Sequence, residues 1–218
     1  MKLPELEEIR SPLGLQMYGA LCSVRLARVG TLGDFEYREP LDRYLDGLFE
    51  RSRRSPDDRK LLIRSRSFFF GDDVALIKYY QSASIEIALM VGGDEPPHPL
   101  NAPGITFTTS NVWSNIDSVC GESTSVNFEE NHFQKQEMRL QGEDVMDIAR
   151  SHDGVDHWIA LRDRARLSGE RVAASLTGLA RDLSWESERG IPGFRVKSAE
   201  EEERFASLVE RDAPTDQW

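Results

Sequence analysis

Apolar positions recur at helical spacing near both ends of the chain and crowd together without a clear period in the middle. In the first block, Leu13, Met17, Leu21 and Val24 form one stripe and Leu15, Tyr18, Cys22, Leu26 and Val29 a second, which leaves polar residues a narrow face. Ser11 is suited to cap this block. Pro12 fits a first turn, where its missing N–H costs nothing, and Gly30 fits the end. The spacing predicts a helix over 12–29 buried on two sides, with Gly14, Gly19 and Ala20 permitting close approach of another element. A second helix opens at Pro40, with Leu41, Tyr44, Leu45, Leu48 and Phe49 at i, i+3, i+4, i+7 and i+8. It runs into Arg51, Arg53 and Arg54, cations suited to the negative end of the helix dipole. Ser55-Pro56-Asp57-Asp58 then marks another helix start or a turn before a strand.

The densest apolar stretch, Ser67 to Gly93, has two readings. As a helix, residues 74–91 start at Asp72 or Asp73, end at Gly92 or Gly93, and gather Lys78, Gln81, Ser82 and Glu86 on one side. As strands, Leu62 to Phe70 and Val74 to Tyr80 make a hairpin around Gly71-Asp72-Asp73, and Ile85, Ile87, Leu89 and Val91 alternate in a third strand. Aromatic and β-branched enrichment favours strands. Lys78 and Glu86 interrupt the run, so it does not read as a membrane span. Four prolines in Asp94 to Gly104 imply an irregular connection, Ile105 to Thr109 a further short strand, and the Ser/Thr/Asn-rich Ser110 to Val126 a loop.

Helix resumes from Phe128. Asp144 is placed to cap a turn through Val145 and Ile148. Asp153 is placed to cap a longer helix carrying Val155, Trp158, Ile159, Ala165, Val172, Leu176, Leu179 and Leu183, with Gly169 as a point of bending or breakage. Ser198 to Glu201 forms a capping box before a short helix through Arg211, and a tail follows. The resulting expectation is an α+β fold: helix-rich, with a small, mainly antiparallel central sheet over 61–109 flanked by N- and C-terminal helices. Residues 1–195 form one domain and 196–218 an acidic C-terminal helix and tail.

With 39% hydrophobic and 30% charged residues over 218 positions, the composition is that of a soluble globular protein. Two cysteines without a CxxC indicate neither a disulfide framework nor a zinc site, and no cofactor is indicated. The acidic start, MKLPELEEIRSPLG, lacks the apolar core of a secretory signal, so the expected compartment is the cytoplasm. Only five of the 27 basic residues are Lys, an arginine excess typical of GC-rich bacterial coding sequence.

Charge changes the picture most. Against a net charge of −11, the stretch with Arg51, Arg53, Arg54, Arg59, Lys60, Arg64 and Arg66 faces only Asp57 and Asp58. Such segregation marks a docking surface. Its counterpart is Ser198 to Trp218, seven acids against Arg204 and Arg211, with Phe205, Leu208 and Val209 as an apolar edge and Trp218 as an anchor. The two could pair within one molecule, between protomers, or each with a separate protein partner. Nucleic acid would be met only through Arg51 to Arg66, where aromatic residues follow the cations instead of alternating with them.

Chemistry-bearing residues are sparse. In SHDGVDHW, His152 and Asp156 are four apart, as are Asp153 and His157, a spacing that on a helix gives His-carboxylate pairs able to bind metal or exchange protons. The structural alternative is a helix start with Asp153 as cap. The His152-Asp153 pair resembles the pair used by His-Asp phosphohydrolases, over these two residues alone. Glu129-Glu130-Asn131-His132 holds one Glu-x-x-His unit where di-iron bundles use two, and Gly71-Asp72-Asp73 is an acidic turn. There is no Walker loop, Gly-x-Gly-x-x-Gly, Gly-x-Ser-x-Gly or Glu-x-Lys. The expectation is a non-catalytic protein-interaction module, a regulatory or assembly subunit. Alternatives are a metal-dependent phosphohydrolase or nuclease built on His152, Asp153, Asp156 and His157, and an acidic inhibitor that mimics nucleic acid.

Overall fold

A helix with apolar residues on two sides needs neighbours on both, and the first helix has them all round. In the computed structural model, which describes residues 6–9, 11–30, 37–52, 55–68, 76–93, 101–123, 132–150 and 154–176, every regular element is helical. After a short 3₁₀ turn at Leu6–Glu8 come α1 (Pro12–Gly30), α2 (Arg38–Phe49), α3 (Pro56–Phe68), α4 (Leu76–Val91), α5 (Asn101–Ser123), α6 (His132–Arg150) and α7 (Val155–Leu176). From Gly14 to Val29 every residue of α1 except Gln16 is buried. Around it α2, α4, α5, α6 and α7 form a ring: α4 and α7 cover it most, α4 also touches α2 and α5, α5 packs on α6, and α2 meets α7. α3 stands outside the ring, against α2 and α4.

The expected central sheet is therefore wrong: the described residues contain no strand, and 61–109 contributes three helices in its place. Burial supplies the reason. In α4 the buried positions Tyr80, Ser84, Ile87, Ala88 and Val91 recur at i, i+4, i+7, i+8 and i+11, a helical period that the β-branched residues obscure. In α5 the run ITFTT alternates locally, but Ile105, Thr109, Val112, Trp113 and Ile116 are buried at helical spacing over a longer window. Hydroxyl groups within these helices donate back to the preceding turn: Thr109 to the Ile105 carbonyl, Ser84 to Gln81 and Ser65 to Leu62, each at 2.7 Å. Pro103 causes no break, because it lies in the first turn of α5.

The starts of α1 and α3 follow their sequence signals. Ser11 Oγ accepts from the Gly14 N–H at 2.9 Å, and Ser55 Oγ from the Asp58 N–H at 3.3 Å. α2 begins at Arg38, two residues before the expected Pro40, and α7 runs through Gly169 unbroken. The Gly154 carbonyl opens α7, accepting from His157 and Trp158 N–H. Asp153, the proposed hairpin turn at 71–73, Glu129 to Asn131, and everything from 177 on, including the acidic segment 196–218, lie outside the described residues. Among the described residues no helix is long and apolar enough to cross a membrane.

The closest approach of α7 to α1 depends on Gly169, where an added Cβ would lie 2.8 Å from the Arg25 carbonyl oxygen and 2.8 Å from Arg28 Cβ. A backbone oxygen cannot rotate away, so Gly169→Ala should push α7 off α1 and cost about 1–3 kcal/mol, read as a lower urea midpoint. Gly142→Ala is the matched control. A Cβ there meets nothing within 4 Å, so the same substitution inside α6 should stabilise by about 0.5–1 kcal/mol.

Candidate functional site

The most concentrated polar chemistry lies inside the ring. Tyr18, Cys22 and Arg25 fall at i, i+4 and i+7 on α1; Glu137, Gln141 and Asp144 fall at the same spacing on α6, and all six are buried. Arg25 Nε donates to both Glu137 oxygens at 3.0 and 2.8 Å, and Nη2 donates to Oε1 at 2.9 Å. Its Nη1 reaches Asp144 Oδ2 at 2.6 Å. Gln141 donates to Glu137 at 3.0 Å and accepts from the Tyr18 hydroxyl at 3.0 Å; that hydroxyl also lies 2.8 Å from Thr106 Oγ1 of α5. Arg164 of α7 closes the set from outside, donating to Asp144 at 2.8 Å and to Asp147. Asp144, expected as a helix cap, is thus a mid-helix ion-pair partner.

Burial works against the Arg25 charge, and the Glu137 and Asp144 carboxylates overcome it, holding the guanidinium well above its ordinary value. Burial also lifts the Glu137 carboxyl above the glutamate range, with Arg25 opposing it. Burial pushes the Cys22 thiol up to about 12 and the Tyr18 phenol upward as well. A crevice beside Arg25 and Glu137, walled by Trp113, Phe133, Leu140 and Gly169, is too tight for a water molecule. Charges saturated by each other in so closed a space do structural work: they hold α1, α6 and α7 in one register.

Of the four residues singled out for catalysis, two are described. His152 and Asp153 lie outside the described residues, Asp156 is exposed in the first turn of α7, and His157 is half-buried with its ring edge-on to Trp158 at 5.6 Å. His132 is exposed at the start of α6. Among the described residues no three His, Cys, Asp or Glu side chains are grouped as a metal would need.

The cationic stretch forms a surface. Asp58 faces inward, accepting from Arg43 Nη2 at 2.7 Å and Nε at 3.1 Å, and Leu62 and Ser65 are buried against the ring. Asp57, Lys60, Leu61 and Arg64 consequently point outward, with Leu61 40% exposed between two cations. Arg59 is half-buried; Arg53, Arg54 and the side chain of Arg66 lie outside the described residues, as do Phe205, Leu208 and Trp218. Arg51 adds an exposed cation at the α2–α3 junction in an unusual conformation. Its φ is 52°, the left-handed position after a helix end, with Arg51 N–H bonded to the Leu48 carbonyl at 3.3 Å and Ser52 N–H to that of Gly47 at 3.1 Å. This hydrogen-bond pair is the Schellman arrangement, whose left-handed residue is usually glycine.

Sequence reasoning missed the buried network: it placed Tyr18 and Cys22 in an apolar stripe and Asp144 at a helix start, and gave Arg25, Glu137 and Gln141 no role. The usable signal was the shared i, i+4, i+7 spacing on α1 and α6. Comparison with protein-family models, with curated proteins and with solved structures gives no match to this chain.

Two outcomes test the network. Arg25→Met leaves two buried carboxylates facing each other and should cost about 3–5 kcal/mol in urea unfolding, whereas Arg25→Met/Glu137→Met/Asp144→Leu should recover most of that loss. The second is a pH dependence. An unfolded thiol titrates near ~8.5, below the folded Cys22 value of about 12, so its contribution is full below the unfolded value and falls as pH rises through the folded one. Tyr18 acts with the same sign. The urea midpoint should therefore decline from about pH 8 to 11, and Cys22→Ala should flatten the decline; a midpoint constant over that range would contradict the burial of both groups.

Proposed function

We propose that this protein is a non-catalytic interaction module, a regulatory or assembly subunit of a bacterial cytoplasmic complex, and that it takes an acidic protein segment on the outer face of α3. The observation that carries the reading is the exposed set Lys60, Leu61 and Arg64 on α3, a helix outside the ring, with exposed Arg51 at its junction with α2. A leucine between cations suits a partner segment in which acids flank an apolar residue.

Arg51 supports the same reading from backbone energetics. An L-residue in the left-handed region costs about 1–2 kcal/mol that glycine avoids. Strain of this kind at an exposed cation points to a use for the side chain.

A fluorescein-labelled polyglutamate peptide, followed by anisotropy at low salt, tests the face. Lys60→Glu/Arg64→Glu should weaken binding at least ~10-fold, and raising the salt should weaken the parent in the same direction. Arg51→Gly should do two opposite things: raise stability by about 1 kcal/mol and weaken binding. Equal affinity across the parent and these variants would remove α3 as the docking face.

A further inference from the structure

We infer that the α3 face has an occupant within the same chain: the acidic segment Ser198 to Trp218 docks on Arg51, Lys60, Leu61 and Arg64 and competes with any acidic partner. The inference rests on the reading of α3 as a docking face and adds what regulates it. Complementarity is its first support. The outer face of α3 offers Lys60 and Arg64 against Asp57, with Arg51 exposed at the junction with α2, and the segment offers seven acids against Arg204 and Arg211.

The second support is the match of apolar groups inside the charges. Leu61 lies between Lys60 and Arg64, and in the segment Phe205, Leu208 and Val209 lie between Glu200–Glu203 on one side and Glu210 and Asp212 on the other. Oppositely charged surfaces that each enclose an apolar centre can exclude water from that centre while the charges set orientation.

Reach is the third. The described helices end at Leu176, so 22 residue steps lead to Ser198. A chain of that length spans up to ~75 Å at full extension, while a domain of this size has a radius of gyration of about 16 Å. The segment can therefore arrive at α3 from any side of the bundle. Tethering makes the contact intramolecular, so it competes at an effective concentration that dilution does not lower.

The test uses the full chain. A zero-length carbodiimide joins an ammonium to a carboxylate only where the two touch. At low salt, treatment of an equal mixture of ¹⁴N- and ¹⁵N-labelled protein should yield Lys60 coupled to a carboxylate among Glu200 to Glu203, in peptides of a single isotope. Absence of that product, or mixed-isotope products in the proportion expected of contact between copies, overturns the intramolecular contact. In parallel, Glu200→Gln/Glu201→Gln/Glu202→Gln/Glu203→Gln should bind the labelled polyglutamate peptide ~10-fold more tightly than the parent. Equal binding by both proteins overturns the competing segment and leaves the docking face intact. Binding by neither overturns the docking face, and this inference with it.

Discussion

The structure depends on a cation at its centre. α1 is enclosed by five helices, and an apolar rod so enclosed has little to choose one rotation over another, since hydrophobic burial is non-directional. Polar contacts supply the choice. Arg25 and Tyr18 are tied to α6, Tyr18 also to α5, Ser23 and Gln16 to carbonyls of α4, and Arg28 to Asp42 of α2 at 2.6 Å. A turn of α1 about its axis would break all of these together and strand a guanidinium in apolar surroundings. The ion pairs need contribute little net stability to do this, because desolvation cancels much of their attraction. Their effect is on which packing is permitted.

That central arrangement decides what remains on the outside. Five helices complete the ring around α1, so α3 finds its place only in a second layer, resting on α2 and α4. Asp58, Leu62 and Ser65 fasten its inner side, the first through the fork of Arg43. Its opposite side is left to solvent, and the sequence fills it with cations around a leucine. The junction with α2 is tight, since the left-handed Arg51 turns the chain within a few residues of the Ser55 cap. Core packing thus leads by short steps to a presented surface on a rigid helix.

How much of this could be read in advance depended on which signal governed each segment. α1 and α2 were legible because apolar periodicity and caps agreed there. α3, α4 and α5 were not, because side-chain type and spacing disagreed: β-branched and aromatic residues suggested strands, while burial follows a period of 3.6. Tertiary packing overrode propensity, as it does where a helix is buried on more than one side. Ser65, Ser84 and Thr109 fit inside these helices because each satisfies its hydroxyl on the preceding turn. The basic stretch was visible as composition, but only the helix shows that Asp58 turns inward and Lys60, Leu61 and Arg64 turn out. The Arg25 network was hidden for a simpler reason, that a charged residue in one helix names no partner until its neighbours are known.

Electrostatics also narrows the kind of partner that suits the α3 face. The buried set of Arg25, Arg164, Glu137 and Asp144 balances itself, so the net charge of −11 is carried elsewhere in the chain, largely at its surface. A long polyanion approaching α3 is attracted by a few cations over one helix and repelled over the rest of its length. At physiological salt those interactions fade beyond about 8 Å. A short acidic segment can place its charges within that distance of Arg51, Lys60 and Arg64 and bury an apolar residue on Leu61, while the remainder of the surface stays out of range. Nucleic acid gains nothing from Leu61 and has no aromatic residue interleaved with these cations to stack on. The same few cations therefore favour a short acidic peptide over a long polyanionic strand.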